Sequence, residues 1–182
     1  MATVKIRPVQ PTELTTLWQI GFSNPQAEWL KWNGPYFHDE LPSEVVFTHL
    51  IGPHDWLDDQ RNWVIIVDEQ IVGSVNYHFV DDDLKRWLEV GILIFDDTHW
   101  GQHIGQQALP LWLDHLFQAV TDLPHIGLTT WSGNERMMHL ASKIGLNQEG
   151  RIPQVRYWQD QYFDSVKYGI LRSDWLTLRH LS

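Results

Sequence analysis

Short stretches of the chain alternate apolar and polar residues, and longer stretches repeat apolar residues at helical spacing. Val4 to Arg7 alternates with a period of two, which predicts an opening strand. The β-branched runs 63–67 and 71–77 flank residues 68–70 and predict a hairpin. The run 87–95 is apolar on both faces toward its end, as a central strand would be. Together these runs predict a sheet.

Three segments have the apolar spacing of an amphipathic helix. The first begins after Thr12, a candidate N-cap, and is broken at Asn24-Pro25. The second begins near Ile104 and carries an apolar face so wide that it must pack on a sheet. The third runs from Asn134 to Ile144 and is stopped by Gly145.

The remaining segments complete a mixed pattern. Ser43 to Phe47 predicts a short helix start, and residues 146–171 predict a closing pair of strands. Between Trp29 and Phe37, aromatic residues surround Asn33-Gly34-Pro35, which predicts a turn rather than a regular element. The predicted order, β-α-α-β-β-β-α-β-α-β-β, has no internal repeat and indicates one α/β domain.

Charge and composition narrow the function classes. The 182 residues include 13 Lys and Arg against 23 Asp and Glu, which gives a formal charge of −10. Such a surface disfavours nucleic acid as a partner and attracts a cationic substrate. The absence of cysteine excludes a thiol nucleophile and fits a cytoplasmic protein. Because the chain shows neither a signal-peptide pattern nor an apolar run of membrane length, we expect no membrane association.

Tryptophan is unusually abundant, with 11 residues in the chain. Such large apolar rings usually fill a core or a subunit interface. We therefore expect most of them to be buried, and we expect a homodimer.

The junction between the predicted central strand and the following helix, residues 92–108, is a candidate ligand site. Gly101 and Gly105 allow a ligand to approach the backbone closely. The first amides of a helix have no partner inside the helix, so they bind anions such as a diphosphate. The alternative is that two glycines at a helix start serve only loop closure and packing.

The same junction resembles the acetyl-coenzyme A (acetyl-CoA) motif of the GNAT family of N-acetyltransferases, Arg/Gln-x-x-Gly-x-Gly/Ala. Residues Trp100-Gly101-Gln102-His103-Ile104-Gly105 occupy that motif. The Trp-Gly pair is similar to the branch that includes the ribosomal-protein N-terminal acetyltransferases. His103 stands where the family usually has its first motif glycine, which adds a side chain at the point of close approach.

Two further segments resemble the family. Residues 134–150 are similar to its second coenzyme segment, with Ala141 at the position that often holds a tyrosine acid for the leaving thiolate. Residues 164–175 are similar to the branch's final strand. The resemblance spans residues 3–176 as one N-acetyltransferase domain. It implies a mostly antiparallel central sheet with flanking helices, and parallel strands that splay at the coenzyme site.

The resemblance also implies which residues bind acetyl-CoA. The end of the central strand would pair with the pantetheine amides, a strand amide near Leu93 would stabilise the oxyanion, and Asn134 would hydrogen-bond the pantetheine arm. The helix start would hold the diphosphate. The implied coenzyme-binding residues are Ile92, Leu93, Ile94, Trp100, Gly101, Gln102, His103, Ile104, Gly105, Gln106 and Asn134.

A substrate amine arrives as an ammonium, so a group must remove its proton. Glu89 is the candidate, because several family members carry a glutamate at this position that acts directly or through water. The alternative is an ordinary salt-bridged or water-facing strand residue. No metal is expected, since His99 and His103 lack a His-Glu-x-x-His pattern.

Trp32 and Tyr36 fall where the branch folds its substrate-side helices, so they are candidates for the wall of the acceptor pocket; core packing is the alternative. The function implied is transfer of acetyl from acetyl-CoA to a primary amine, on a protein or peptide N-terminus or a small molecule. An inactive coenzyme-binding sensor with the same fold is the second interpretation, and a structural interaction protein is the third.

Overall fold

The computed structural model describes residues 3–180. Its seven strands are β1 (Val4–Pro8), β2 (Asn62–Val67), β3 (Gln70–Phe79), β4 (Leu88–Ile94), β5 (His125–Trp131), β6 (Asn147–Trp158) and β7 (Gln161–Leu171). Its α-helices are α1 (Leu14–Gly21), α2 (Glu44–Val46), α3 (Ile104–Ala119), α4 (Glu135–Lys143) and α5 (Arg172–His180). None of the helices in this part of the chain is long and apolar enough to cross a membrane.

The strands form one sheet in the order β1-β2-β3-β4-β5-β7-β6. β4 and β5 are parallel, and the sheet is otherwise antiparallel. This architecture confirms the fold class expected from the sequence. The described residues divide into two compact units: 3–76 with 92–109, here called the first unit, and 77–91 with 110–180, the second unit.

The first unit contains β1, β2 and an aromatic core. Asp68 and Glu69 both have positive φ, as the two central residues of a tight hairpin require, and they join β2 to β3. The Phe22 ring stacks at a tilt on Phe47, 4.9 Å away, and meets Phe95 edge-on at 5.5 Å. Such pairs add stability beyond area burial.

The second unit is built on the ladder between β5 and β7, which pairs His125 through Trp131 with Leu171 through Ser165. Trp112 of α3 and Trp175 of α5 are fully buried. The indole N–H of Trp175 donates to Asp114 Oδ1 at 2.9 Å and so attaches α5 to α3. Five of the eleven tryptophans are buried, namely Trp29, Trp56, Trp112, Trp131 and Trp175, and Trp87 is exposed, so the expectation that most of them are buried is met only in part.

Three details of the sequence prediction were wrong or incomplete. Thr12 is not the N-cap of α1; it lies exposed in a 3₁₀ turn, Pro11–Glu13, that precedes the helix. Ser43 caps α2, as expected, but α2 continues as a π-helix over Phe47–Asp58. Helix α5 was not predicted at all.

Candidate active site

The two parallel strands separate soon after they meet. β4 pairs with β5 at Leu88 with Ile126 and at Glu89 with Gly127. Within the described part of the second unit, the pairing does not extend to Val90. A parallel pair that ends this early is what the resemblance implies for strands that receive a pantetheine arm.

The end of β4 lies in the first unit, where β3 supports it. The Phe95 N–H donates to the Val72 carbonyl at 3.0 Å. Gly73 lies so close to this segment that a Cβ there would collide with the Leu93 carbonyl. Ile92, Leu93 and Ile94 are half-buried. Their position at the strand end fits the predicted coenzyme contact, which stays a prediction.

Asp96 organises the turn after β4. Its Oδ1 accepts hydrogen bonds from the Thr98 hydroxyl at 2.7 Å and from the Thr98 N–H at 2.8 Å. These bonds, the hydroxyl first, hold the pKa of Asp96 below its ordinary value. Further along, the Trp100 indole N–H donates to the Ile94 carbonyl at 3.1 Å. Trp100 therefore fastens the loop to the strand end, a structural role that the sequence did not predict.

The loop from Gly101 to His103 leads into α3. Gly101 has φ +75°, and nothing lies within 4 Å of the place where its Cβ would be. His103 has φ +62°, the left-handed conformation that glycine favours. Ile104 is buried and begins α3, and Gly105 and Gln106 are half-buried in its first turn. An open glycine beside the first amides of a 16-residue helix fits a diphosphate.

We expect His103→Gly to raise the free energy of unfolding by about 1 kcal/mol, because glycine adopts the left-handed conformation without steric cost. Acetyl-CoA affinity should stay equal or increase, since the loop backbone then binds with less obstruction. Urea unfolding and calorimetric titration measure the two effects. The matched control is Gln102→Gly on the neighbouring residue, which should lose stability. A tenfold weaker acetyl-CoA affinity in His103→Gly would instead assign the imidazole itself to the coenzyme.

In the second unit, Glu89 lines a cavity of about 140 Å³. Its carboxylate is almost fully buried, and Oε1 accepts a hydrogen bond from Lys167 Nζ at 3.0 Å. Lys167 Nζ also donates to Thr129 Oγ1 at 2.8 Å and lies 5.0 Å from the centre of the Trp87 ring. Glu89 is thus salt-bridged, as one of the two sequence interpretations expected, and it also lines a cavity.

A second hydrogen-bonded pair of side chains lines the same cavity. His125 Nε2 lies 2.9 Å from both carboxylate oxygens of Glu149. Gly127 and Gly169 face each other across β5 and β7 between the two pairs. A Cβ on Gly169 would collide with His125 and Glu149, so the bare backbone is what leaves room for them. No local pattern in the sequence marks His125, Glu149 and Lys167 as site residues, because the side chains that they bond are remote in sequence.

Asn134 and Ala141 lie on α4. The Asn134 Oδ1 accepts the Met137 N–H at 3.0 Å, so the side chain caps this helix. Its predicted contact with pantetheine rests on the motif. Ala141 is fully buried. A methyl group has no proton to donate, so this position cannot protonate the leaving thiolate.

Trp32 and Tyr36 lie in the aromatic turn segment of the first unit, and both are half-buried. The Trp32 ring meets the Trp100 ring edge-on at 6.4 Å, and the Tyr36 ring lies 4.6 Å from Phe37. These contacts support packing, and the acceptor role of both residues stays a prediction. Trp32 does lie beside the loop residue that fastens the strand end.

The two histidines of the loop do not join a group of metal-type ligands. His99 Nδ1 lies 3.8 Å from Asp96 Oδ2. Among residues 3–180, the group of three such side chains is elsewhere, at His54, Asp55 and Asp59, where an Arg61 side chain bonds Asp59.

Comparison with known proteins agrees with the architecture. The model of the acetyltransferase (GNAT) domain family matches residues 3–147. The spermidine N(1)-acetyltransferase of Escherichia coli (strain K12) is 23% identical over 174 residues, which cover 96% of this chain and 89% of that enzyme.

Solved structures share the fold. The spermidine N-acetyltransferase from Vibrio cholerae, in complex with CoA and spermine, superposes with a TM-score of 0.75 at 20% identity, covering 95% of this chain and 98% of that one. A GNAT-family acetyltransferase from Bacillus anthracis gives 0.72 at 16% identity, covering 95% and 98%. The family match spans most of the chain, including the strand, loop and helix start described above. The chain therefore belongs to the GNAT acetyltransferase family and is an acetyl-CoA-dependent N-acetyltransferase.

Proposed function

We propose that the enzyme, acting as one domain over residues 3–176, acetylates a primary amine of a small polycation of the spermidine class. The observation that carries the proposal is the buried Glu89 carboxylate, which opens on a cavity able to admit a substrate ammonium. Because Lys167 already balances the charge of this carboxylate, Glu89 serves the acceptor as a hydrogen-bond acceptor and base rather than as a net negative charge.

The coenzyme contacts belong to the same proposal. The amides from Gln102 to Gln106 hold the diphosphate at the start of α3, and the end of β4 pairs with the pantetheine arm, where Asn134 adds a hydrogen bond. An amide near Leu93 stabilises the oxyanion. Much of the rate enhancement comes from holding the acetyl thioester and the amine aligned next to each other.

The chemistry is a direct transfer. A lysine-type amine has a pKa near ~10.4, so the acceptor must lose a proton before it attacks. Glu89 takes that proton, directly or through water, and the amine nitrogen bonds to the acetyl carbon. The carbon–sulfur bond then breaks, the nitrogen loses its second proton to water, and the coenzyme thiolate leaves and takes a proton from the solvent. Glu89 releases its own proton to the solvent, so the reaction frees one proton in all. Because no covalent enzyme intermediate forms, the absence of cysteine is no obstacle.

Two observations support a polycationic acceptor. The formal charge of −10 raises the local concentration of cations. Relatives in sequence and in fold carry spermidine in their names, and one of them holds spermine. The specific alternative is a protein or peptide N-terminus, because the Trp100-Gly101 pair and residues 164–175 resemble the ribosomal-protein branch.

The test combines titration of acetyl-CoA with thiol-release assays on spermidine, spermine, butylamine and peptides with free N-termini. We expect the polyamines to have the highest kcat/KM, and we expect that value to fall about tenfold between low and high salt, as screening predicts. Butylamine, with a single charge, is the control and should show little salt dependence. A preference for the peptides would favour the N-terminal branch, and binding without thiol release from any amine would favour the sensor.

A homodimer is also part of the proposal. The edge strand β6 and its hairpin partner β7 expose five large apolar side chains: Ile152, Val155, Tyr157, Tyr162 and Leu171. Exposed apolar groups of this kind are typical of subunit contacts. Light scattering tests the oligomeric state.

A further inference from the structure

We infer that Lys167 is a positioning residue for the transfer: its ammonium fixes the nearly buried Glu89 carboxylate in place and is the counter-charge of that carboxylate. This inference rests on the proposed role of Glu89. It adds a residue that neither the motifs nor the comparisons identify.

The sheet register brings the two side chains together. Lys167 on β7 pairs with Thr129 on β5, and Glu89 on β4 pairs with Gly127, two residues earlier on β5. Gly127 has no side chain to separate them. The ammonium of Lys167 therefore reaches across β5, bonding Thr129 at 2.8 Å on the way and Glu89 at 3.0 Å.

Lys167 has few alternative orientations. A lysine ammonium has three donors, and two of them are used by an oxygen on β5 and an oxygen on β4. The Trp87 ring, 5.0 Å from Nζ, adds a cation–π contact. Oε1 of Glu89 holds the bond to Lys167, and Glu89 lines the cavity. Oε2 is therefore the oxygen that we expect to meet the acceptor.

Other charged groups around the cavity have their own partners. Arg86 bonds Asp122 at 3.2 Å, and His125 bonds Glu149 at 2.9 Å. Tyr168 also lines the cavity. Within residues 3–180, Lys167 is the cation in contact with Glu89. A nearly buried carboxylate that loses its counter-charge binds a proton more tightly. Removal of Lys167 should therefore protonate Glu89 at a higher pH.

The experiment measures kcat/KM against pH for the wild type, Lys167→Gln and Lys167→Arg. In Lys167→Gln the acid limb of the profile should move to higher pH, by about one pH unit or more. In Lys167→Arg, which keeps the cation, it should stay near its wild-type pH. The control is Lys5→Gln, which breaks an exposed Lys–Glu pair of similar length, 3.1 Å to Glu69. It should leave the profile unchanged.

A second measurement does not depend on turnover. Carbon-13 NMR of side-chain carboxyls, with the Glu89 signal assigned by its loss in Glu89→Gln, follows the protonation directly. We expect the Glu89 signal to titrate at higher pH in Lys167→Gln than in the wild type. An unchanged titration would overturn the inference even if the enzyme is active. Failure of the wild type to acetylate any amine would overturn the proposed function instead, while the NMR titration would still decide whether Lys167 holds Glu89 ionised.

Thr129→Val covers the case in which Lys167→Gln does not fold. It removes one bond from the ammonium and keeps the charge. A small upward shift of the Glu89 titration supports the inference, and a shift to lower pH overturns it.

Discussion

Replacement of Glu89 by glutamine should lower kcat at neutral pH by about 100-fold, because general base catalysis typically contributes 10²- to 10⁴-fold. Glutamine keeps the shape of the side chain and one oxygen for Lys167, but it cannot take a proton. The acetyl-CoA affinity should be unchanged, since Glu89 is not among the residues that we expect to bind the coenzyme. Steady-state kinetics with the best acceptor of the amine panel measures the effect.

Loss of stability is the competing explanation for a slow Glu89→Gln variant. The change leaves the Lys167 ammonium without an anionic partner, but that side chain is 30% exposed and is solvated in part. We expect a loss of about 2 kcal/mol, which leaves the protein folded at assay temperature. Glu69→Gln, at an exposed pair with Lys5, is the matched control and should retain full activity. Unchanged turnover of Glu89→Gln from about pH 6 to 9 would remove Glu89 from the mechanism.

Periodicity predicted the sheet and the helices wherever one face of an element is buried. The alternation at Val4 to Arg7 and the β-branched runs around Asp68 became β1, β2 and β3 with only small changes in their bounds. The apolar spacing after Ile104 became α3. In each case burial imposes the period on the sequence, so the pattern can be interpreted without tertiary information.

Elements held by a few remote contacts were not visible in the same way. Helix α5 is mostly polar, and it is attached through the buried Trp175 and its bond to Asp114, 61 residues away. The π-helix at Phe47–Asp58 contains Pro53, a residue that usually breaks a helix. Local propensity argues against both elements, and tertiary packing decides them.

The residues of the candidate site also fall into two groups, those that a local motif marks and those that only the fold brings together. Glu89 and the loop from Trp100 to Gln106 were found because local motifs mark them. Lys167 lies 78 residues from Glu89 in sequence, and the side-by-side pairing of β4, β5 and β7 in the sheet brings them together. His103 was noted only as a departure from the motif. Its left-handed backbone, φ +62°, shows that the glycine conformation is kept although the residue has changed.

Arg172, at the start of α5, should be the most sensitive surface-proximal residue for stability. Its guanidinium donates to the Leu123 carbonyl at 3.0 Å and 2.8 Å, to the Val120 carbonyl at 2.5 Å, and to the Phe117 carbonyl. Phe117 lies in the last turn of α3, where helix geometry leaves carbonyls without a partner inside the helix, and Val120 and Leu123 follow the end of the helix. The guanidinium also lies over the Phe117 ring, 4.9 Å from its centre.

We therefore expect Arg172→Met to lower the free energy of unfolding by about 4 kcal/mol. Each hydrogen bond to a charged donor contributes about 1.5–3 kcal/mol, and the carbonyls that lose the guanidinium are left without a donor. Such a loss corresponds to a drop in Tm of about 12 °C for a chain of this size. Arg172→Lys should lose about half as much, because an ammonium keeps the charge but cannot bond three carbonyls in a planar fork.

Arg61→Met is the control for Arg172→Met. Arg61 is bonded to Asp59 at an exposed pair, which should contribute less than about 1 kcal/mol. Urea unfolding and thermal melts of the three variants give the comparison. If Arg172→Met loses no more stability than Arg61→Met, then water satisfies the α3 carbonyls as well as the guanidinium does. Helix α5 would in that case depend on Trp175 and Arg179, both bonded to Asp114, for its attachment to α3.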